Sequence, residues 1–389
     1  MQSVLRCGVE VSYAAKAFAT VEFLRRLAQT AIGVDVCSLG ELTLAERAGF
    51  APDRITLHGA GKSRDELQAA VAGRAGCIVV DGLEELQRLV ALAADGCAAE
   101  VMLRLNVGVD AHTHAYIRTG GHDTKFGLHP RDEDAAATTL RANPQLRFTG
   151  LHAHIGSQIF ACDPYVATAQ ALIDAAKRFA QRGLPMTRIV TGGGFGVASD
   201  PDATDRQLDV AGTVERIARS VERAAQDAGM TAPRVGVEPG RSLVADAGTT
   251  LYEVLAVKRQ SRRTFVIVDG GIFENPRPAL YGARYGVAAV TPVEGEPQEM
   301  TICGRSCEND ELATLELPSG IVAGTLLAMR GTGAYTYSMA SNYNRFPRPA
   351  VAGVSHGCHA LLARRETLDD LMRTDDGASD ASSRLTATL

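Results

Sequence analysis

Through about residue 240, short continuous apolar runs alternate with longer stretches whose apolar positions recur every three or four residues. The runs lie at Glu10–Ala14, Val34–Ser38, Ile55–Gly59, Cys77–Asp81, Glu100–Asn106, Phe148–His154, Arg188–Gly193 and Arg234–Glu238. They are too short for helices. Their continuous apolar character, without apolar–polar alternation, predicts strands covered on both faces, as in a parallel sheet. Segments such as Val21–Leu27 and Leu83–Leu89 carry helical spacing between them. Eight β/α units in about 240 residues predict a (β/α)8 TIM-like barrel, with a doubly wound open sheet as the alternative use of the same elements.

After Gly248 the pattern changes. Leu251–Val257, Thr264–Asp269, Gly286–Val290 and Gln298–Cys303 are β-type runs with few helical stretches between them, which predicts a mainly β, antiparallel domain. The expected division is therefore a barrel at 1–247 and a C-terminal β domain with short helices at 248–389, ending in a frayed tail from Asp375 onward. The connection from Val107 to Arg147 is long for a βα loop and carries His112, His114, Arg118, Gly120, Gly121 and Lys125-Phe126-Gly127. Over a barrel mouth it reads as an active-site flap or a dimer contact.

Composition narrows the classes. The chain has 389 residues, 46% hydrophobic and 22% charged, with a net charge of −5. It has no basic block, which argues against nucleic acid or an anionic membrane as partner. No apolar run reaches the roughly 18 residues of a membrane span. The N-terminus lacks a signal-peptide pattern, so a cytoplasmic location is expected. The eight cysteines, at 7, 37, 77, 97, 162, 303, 307 and 358, form no CxxC pair, which disfavours zinc. A reducing compartment disfavours disulfides.

The residues with distinctive chemistry fall at the C-terminal ends of the predicted strands, where barrels place their sites: Lys16, Asp35, Asn106, His154, Gly192–Gly194 and Glu238–Arg241. Lys16, after Val11-Ser12-Tyr13-Ala14-Ala15, reads either as a surface lysine closing a strand or as an amine desolvated into a nucleophile, fit for a Schiff base with pyridoxal phosphate. His152 and His154 face one side of their strand. They read as a metal pair, as core histidines, or as a ring support in which His154 lies against a planar cofactor while Gly156 and Ser157 approach a phosphate. A metal would need a third ligand, which an Asp or Glu could supply from another strand; the expectation is that no metal is bound. Thr191-Gly192-Gly193-Gly194-Phe195-Gly196 suits a backbone phosphate nest and departs from G-x-G-x-x-G. In Glu238-Pro239-Gly240-Arg241 the carboxylate can hold a proton on a pyridine nitrogen and the arginine can clamp a phosphate or carboxylate; an ordinary salt-bridged turn is the plainer reading. In the β domain, Cys307 can deliver a proton to a carbanion and Glu308 can pair with an ammonium. Arg277 and Tyr281 suit a carboxylate, and Gly333–Ser338 supplies hydroxyls.

Taken together and in this order, these stretches resemble the fold-type III pyridoxal phosphate-dependent decarboxylases, closest to the diaminopimelate decarboxylase branch, from about Val9 to Leu371. Leu105-Asn106-Val107 and Lys125-Phe126-Gly127 fit that branch too. The resemblance implies pyridoxal 5'-phosphate held by Lys16, stacked on by His154 and paired at its ring nitrogen with Glu238. It implies Asp35 nearby, with Ser157, Gly193, Gly194, Gly240 and Tyr335 around the phosphate. Arg241, Arg277, Tyr281 and Tyr335 would contact the substrate, Cys307 would protonate the carbanion and Glu308 would hold the distal ammonium. The last two would come from the partner subunit of a homodimer. The implied reaction converts meso-2,6-diaminopimelate to L-lysine and carbon dioxide. An acid at the ring nitrogen separates this from the racemases of the same fold, which resemble it but carry an arginine there. Three alternatives stand beside it: decarboxylation of ornithine, lysine or a carrier-tethered amino acid, a non-catalytic regulator of a true decarboxylase, and a metal-dependent barrel hydrolase. Two departures from the family pattern are visible. Lys16 follows few residues where the family has some tens, implying an upstream start or a β domain lacking a strand. Cys307-Glu308-Asn309-Asp310 is one residue shorter than the family's continuation.

Overall fold

The structure is a computed structural model and describes residues 8–93, 99–109, 124–199 and 208–375. Eight strands open it: β1 (Glu10–Ala14), β2 (Gly33–Val36), β3 (Ile55–Leu57), β4 (Cys77–Val80), β5 (Ala99–Arg104), β6 (Leu146–His152), β7 (Arg188–Val190) and β8 (Arg234–Val237). Each pairs in parallel with the next, and β8 returns to β1 with Glu10 opposite Gly236 and Val11 opposite Val237. That last pairing closes the barrel and excludes the open sheet. β4 is buried at all its positions, as a strand with packing on both faces must be.

The helices are α1 (Val21–Ala28), α2 (Leu39–Ala48), α3 (Arg64–Val71), α4 (Leu83–Ala93), α5 (Glu133–Ala142), α6 (Asp163–Gln181), α7 (Val210–Asp227) and the short α8 (Arg241–Val244). Local sequence sets several of their ends. Thr20 and Ser38 accept from the Phe23 and Glu41 amides, Ser63 and Glu66 form a capping box on α3, and α2 stops at Gly49 with φ +90°. Leu24, Leu42, Leu67, Leu86, Leu172 and Ile217 join Val34, Ile55, Ile78, Val101, Leu151 and Ile189 in one buried core. The stretch expected as a long loop from Val107 to Arg147 contains α5. Its buried side is mostly alanine (Ala136, Ala137, with Leu140), too weak an apolar stripe to announce a helix. His112, His114, Arg118, Gly120 and Gly121 lie outside the described residues, as does the tail beyond Asp375.

The chain divides into two compact units. The first comprises the described residues up to Thr250 together with Arg330–Ser338; the second comprises Leu251–Met329 and the described residues from Met339 onward. Arg330–Ser338, which the expected division assigned to the β domain, is stitched to the end of β1. The Tyr335 amide donates to the Ala17 carbonyl (2.7 Å) and the Ser338 hydroxyl to the Lys16 carbonyl (2.9 Å).

The later strands are β9 (Thr249–Arg259), β10 (Thr264–Val268), β11 (Val287–Ala289), β12 (Pro297–Cys303), β13 (Glu311–Pro318), β14 (Leu326–Arg330) and the hairpin β15 (Val351–Ser355)–β16 (Cys358–Ala363), with helices α9 (Arg277–Tyr281) and α10 (Leu368–Met372). The main sheet has the order β11-β14-β9-β10-β12-β13. It is mixed rather than antiparallel as expected, because β10 and β12 run parallel, with Phe265 opposite Thr301. Between them the chain passes through α9 and the far edge strand β11, so it re-enters in the same direction. Tyr252, Val254, Val266, Val268, Met300, Ile302, Leu327 and Met329 form this unit's core. Among the described residues, no helix is long and apolar enough to cross a membrane.

Candidate active site

Lys16 sits in a single 3-10 turn, Ala15–Ala17, directly after β1. Its alanine neighbours are buried while Lys16 itself is exposed, so the described residues do not supply the desolvation expected of its amine. The lysine charge is close enough to act on His154, whose imidazole burial pushes well below its ordinary value, with Lys16 and Arg104 adding to the effect. His154 follows β6 and accepts the Gly156 amide at Nδ1 (3.3 Å), which fixes the ring and leaves Nε2 as the protonated nitrogen.

Beneath this rim lies a buried polar floor. Glu238, just past β8, meets His152 Nε2 through Oε2 (3.0 Å) and His58 Nε2 through Oε1 (3.4 Å). His58 Nε2 is also 3.5 Å from Asp35 Oδ1, and that oxygen accepts the Ser12 hydroxyl at 2.5 Å. The two carboxylates are driven apart. Burial, then the Glu238 charge, pushes Asp35 up. Burial would raise Glu238 as well, but His152 and His58 outweigh it and hold its carboxyl below the usual range. Burial takes His152 down to about 4, so at neutral pH it serves Glu238 as a neutral N–H donor. The two imidazoles meet edge to face at 5.1 Å. The ligand atoms of His58, His152 and Glu238 lie within 4.8 Å of one another, a set with the chemistry to hold a metal ion. It joins His152 to His58, not to His154 as the two-apart spacing implied.

A third group surrounds the glycine loop after β7. The Arg241 guanidinium donates to the Ser157 hydroxyl (3.2 Å) and lies over the Tyr335 ring (4.7 Å). The Gly193 carbonyl accepts the Tyr165 hydroxyl (3.1 Å), and that phenol stacks on Phe195. A Cβ on Gly193 would run into the Glu238 carbonyl, and one on Gly194 into the Gly156 carbonyl. These glycines bring three strand ends into backbone contact. Gln158 clamps the same region, pairing its side-chain amide with both backbone groups of Val197 at 3.0 Å. Gln158 and Tyr335 hold φ values of +58° and +59°, a region that non-glycine residues visit rarely. Asn106 lies two residues past β5. It accepts the Gly108 amide and lines a cavity of about 220 Å³ with Glu133 and Arg178.

In the second unit, Arg277 is buried and donates to the Tyr285 hydroxyl (3.0 Å), with the Tyr281 ring 5.3 Å from its guanidinium carbon. Cys307 and Glu308 are exposed on the loop between β12 and β13. Asp310 ties that loop down, accepting the Ser306 hydroxyl (2.8 Å) and the Ile272 amide (3.2 Å).

Residues 1–245 match the family model described as "Pyridoxal-dependent decarboxylase, pyridoxal binding domain". The chain belongs to the pyridoxal-dependent decarboxylases. It is 41% identical to diaminopimelate decarboxylase of Bacillus subtilis, over 96% of this chain and 87% of that protein. The Mycobacterium tuberculosis diaminopimelate decarboxylase is 40% identical, over 94% and 85%. A crystal structure of a Helicobacter pylori diaminopimelate decarboxylase variant complexed with L-lysine superposes with a TM-score of 0.88 at 30% identity, covering 96% of this chain and 94% of that one. The cofactor of the family is pyridoxal phosphate, and the first unit fits it. The unit offers a primary amine, a buried carboxylate kept ionised, and a hydroxyl, guanidinium and glycine amides grouped for a phosphate. The buried Thr191 hydroxyl and Asp35 Oδ2 have no hydrogen-bond partner among the described residues.

Sequence reasoning missed His58, Ser12 and the floor role of His152. The apolar run Ile55–Gly59 places His58 inside a strand, but β3 ends one residue before it, so it stands at the rim, where the strand-end rule applies. Arg104 was missed for the same reason. It closes β5, 3.6 Å from Asp81 and 4.4 Å from the Phe126 ring centre.

Proposed function

We propose that this decarboxylase acts on meso-2,6-diaminopimelate, releasing carbon dioxide and L-lysine, as a cytoplasmic homodimer with shared active sites. The observation that carries the reaction type is Glu238, a buried carboxylate kept ionised at the floor of the rim that bears Lys16. Bound pyridoxal phosphate supplies the electron sink for the pair left when the carboxylate departs, provided its ring nitrogen is protonated. Glu238 would hold that proton, with His152 fixing one of its oxygens through a hydrogen bond and His58 lying beside the other. Lys16 would hold the cofactor through its amine and His154 would lie against the ring. Ser157, Gly193, Gly194, Gly240 and Tyr335 would surround the phosphate. Arg241, Arg277 and Tyr281 would bind the distal carboxylate, Glu308 the distal ammonium, and Cys307 Sγ would deliver a proton to the α-carbon. The substrate is supported by the names of the relatives and by the lysine in the Helicobacter protein.

The dimer has its own support. Leu251, Val354, Leu361 and Leu368 are between 60% and 76% exposed, and all belong to the second unit. A two-stranded hairpin such as β15–β16 is marginal without further packing. The free thiols among the described cysteines suit a reducing cytoplasm. The test is an absorbance spectrum of the purified protein with pyridoxal phosphate, before and after adding meso-diaminopimelate, with carbon dioxide followed in parallel. The expected result is a near-visible band that responds to substrate as gas evolves. A band without gas from diaminopimelate, but with gas from ornithine or lysine, would move the substrate assignment; no band would remove the cofactor reading.

A further inference from the structure

The turn Asn342–Phe346 in the second unit is built at a conformational cost. Asn344 and Arg345 both have left-handed backbones, at φ +52° and +58°. Asparagine tolerates that region, but arginine does so rarely, and two in succession persist only where surrounding contacts impose them. Those contacts are present on every side. Arg345 donates to the Leu371 carbonyl (2.9 Å) and the Asp375 carboxylate (2.7 Å). Asn342 donates to the Glu366 carboxylate (2.6 Å) and the Phe346 carbonyl (3.1 Å). The Phe346 ring packs on Phe273 at 4.5 Å and lies under Arg305.

What the turn presents is directed at one loop. Asn344 Oδ1 accepts the Cys307 amide (3.0 Å), and the Tyr343 hydroxyl donates to Glu308 Oε1 (2.5 Å). From the other side the Ser306 hydroxyl accepts the Glu308 amide (3.2 Å) while donating to Asp310. Glu308 is exposed, and an exposed glutamate otherwise spreads over many rotamers, freedom that a ligand must then remove. The phenol occupies Oε1 and leaves Oε2 as an acceptor without a partner among the described residues.

We propose that this turn is a positioning device for the Cys307–Glu308 loop, in which Tyr343 sets substrate selectivity by holding the Glu308 carboxylate ready for an ammonium group. The inference rests on the reading of Glu308 as the partner of the distal ammonium. Its test compares meso-diaminopimelate with 2-aminopimelate, which keeps the distal carboxylate and lacks that ammonium, in the holoenzyme and its Tyr343→Phe, Glu308→Gln and double variants. Tyr343→Phe removes one oxygen and keeps the ring. It is expected to raise KM for diaminopimelate about tenfold, with a smaller effect on kcat, the size of one hydrogen bond to a charged group. Selectivity over 2-aminopimelate falls by the same factor, the melting midpoint stays, and the substitution adds nothing in the Glu308→Gln background. Unaltered selectivity in Tyr343→Phe, with Glu308→Gln impaired, would overturn the role of Tyr343 and leave that of Glu308 standing. An undiminished Tyr343→Phe effect in the double variant would overturn it equally. Glu308→Gln with wild-type selectivity would remove the ammonium reading itself, and Tyr343 with it.

Discussion

Asp35 and Glu238 are the same functional group, both buried and both within reach of His58, yet their surroundings push them in opposite directions. The difference lies in the second imidazole. Beyond His58, Glu238 has His152 on its other oxygen, whereas Asp35 has the Ser12 hydroxyl, and its Oδ2 has no hydrogen-bond partner among the described residues. A pair driven apart in this way assigns a permanent anion and a group that readily takes a proton. On the strand between them, just past β1, the decisive group is a single amine. Lys16→Ala is expected to remove the substrate-responsive near-visible band and the release of carbon dioxide together. A variant that keeps the band would take Lys16 out of its role. Lys16 and Glu238 were legible from their places at strand ends. His58 was not, because a boundary error of one residue moves a side chain from rim to interior.

At the scale of elements, the second unit carries a titratable group in its core. Glu274 follows β10, and burial pushes it from about 4.5 up to about 7, although the Tyr252 hydroxyl and the Gly271 amide favour its ionised form. The folded state therefore holds a proton that the unfolded chain has released. This stabilisation is fully present below the unfolded value near 4.5 and is lost as pH rises through 7. The loss is on the order of 3 kcal/mol by about pH 8. Glu274→Gln keeps a hydrogen-bonding group without the charge, so it is expected to melt higher than the wild type at about pH 8 and to narrow that gap at about pH 6. Calorimetric midpoints that differ equally at both would remove Glu274 as the source. The elements themselves were read unevenly. The barrel strands are continuous apolar runs and stood out. β13, where Leu312, Leu315 and Leu317 are irregularly spaced among Ala313, Thr314 and Glu316, and the exposed hairpin β15–β16 did not, because edge and solvent-facing strands carry a diluted apolar signal.

For the whole molecule, the proposal of shared sites makes a prediction that no single-chain account makes. Lys16→Ala and Cys307→Ala, each nearly inactive alone, are expected to recover activity when co-refolded or co-expressed. Random pairing puts half of the dimers in the mixed form, with one intact site each, so recovery should reach about a quarter of wild type. Mixed preparations that stay as inactive as their components would place both residues in one subunit's site. Sedimentation of the wild type as a monomer at assay concentration would remove the dimer outright.

The sequence by itself determined the eight β/α units, the strand-end placing of the distinctive residues and the family; the β8–β1 pairing decided that those strands close into a barrel. Continuous apolar strands, caps such as Ser63–Glu66, and Lys16, His154, the Gly192–Gly194 run and Glu238 are local facts about short stretches. Tertiary structure alone decided which groups meet across them. It paired His58 with both carboxylates, set Arg241 against Ser157 and Tyr335, folded Arg330–Ser338 back onto the end of β1, and fixed Tyr343 on Glu308. The reason is physical: capping and apolar periodicity act within a few residues of chain, whereas these contacts join residues from 23 to 322 positions apart, brought together by closure of the barrel and crossing of the sheet.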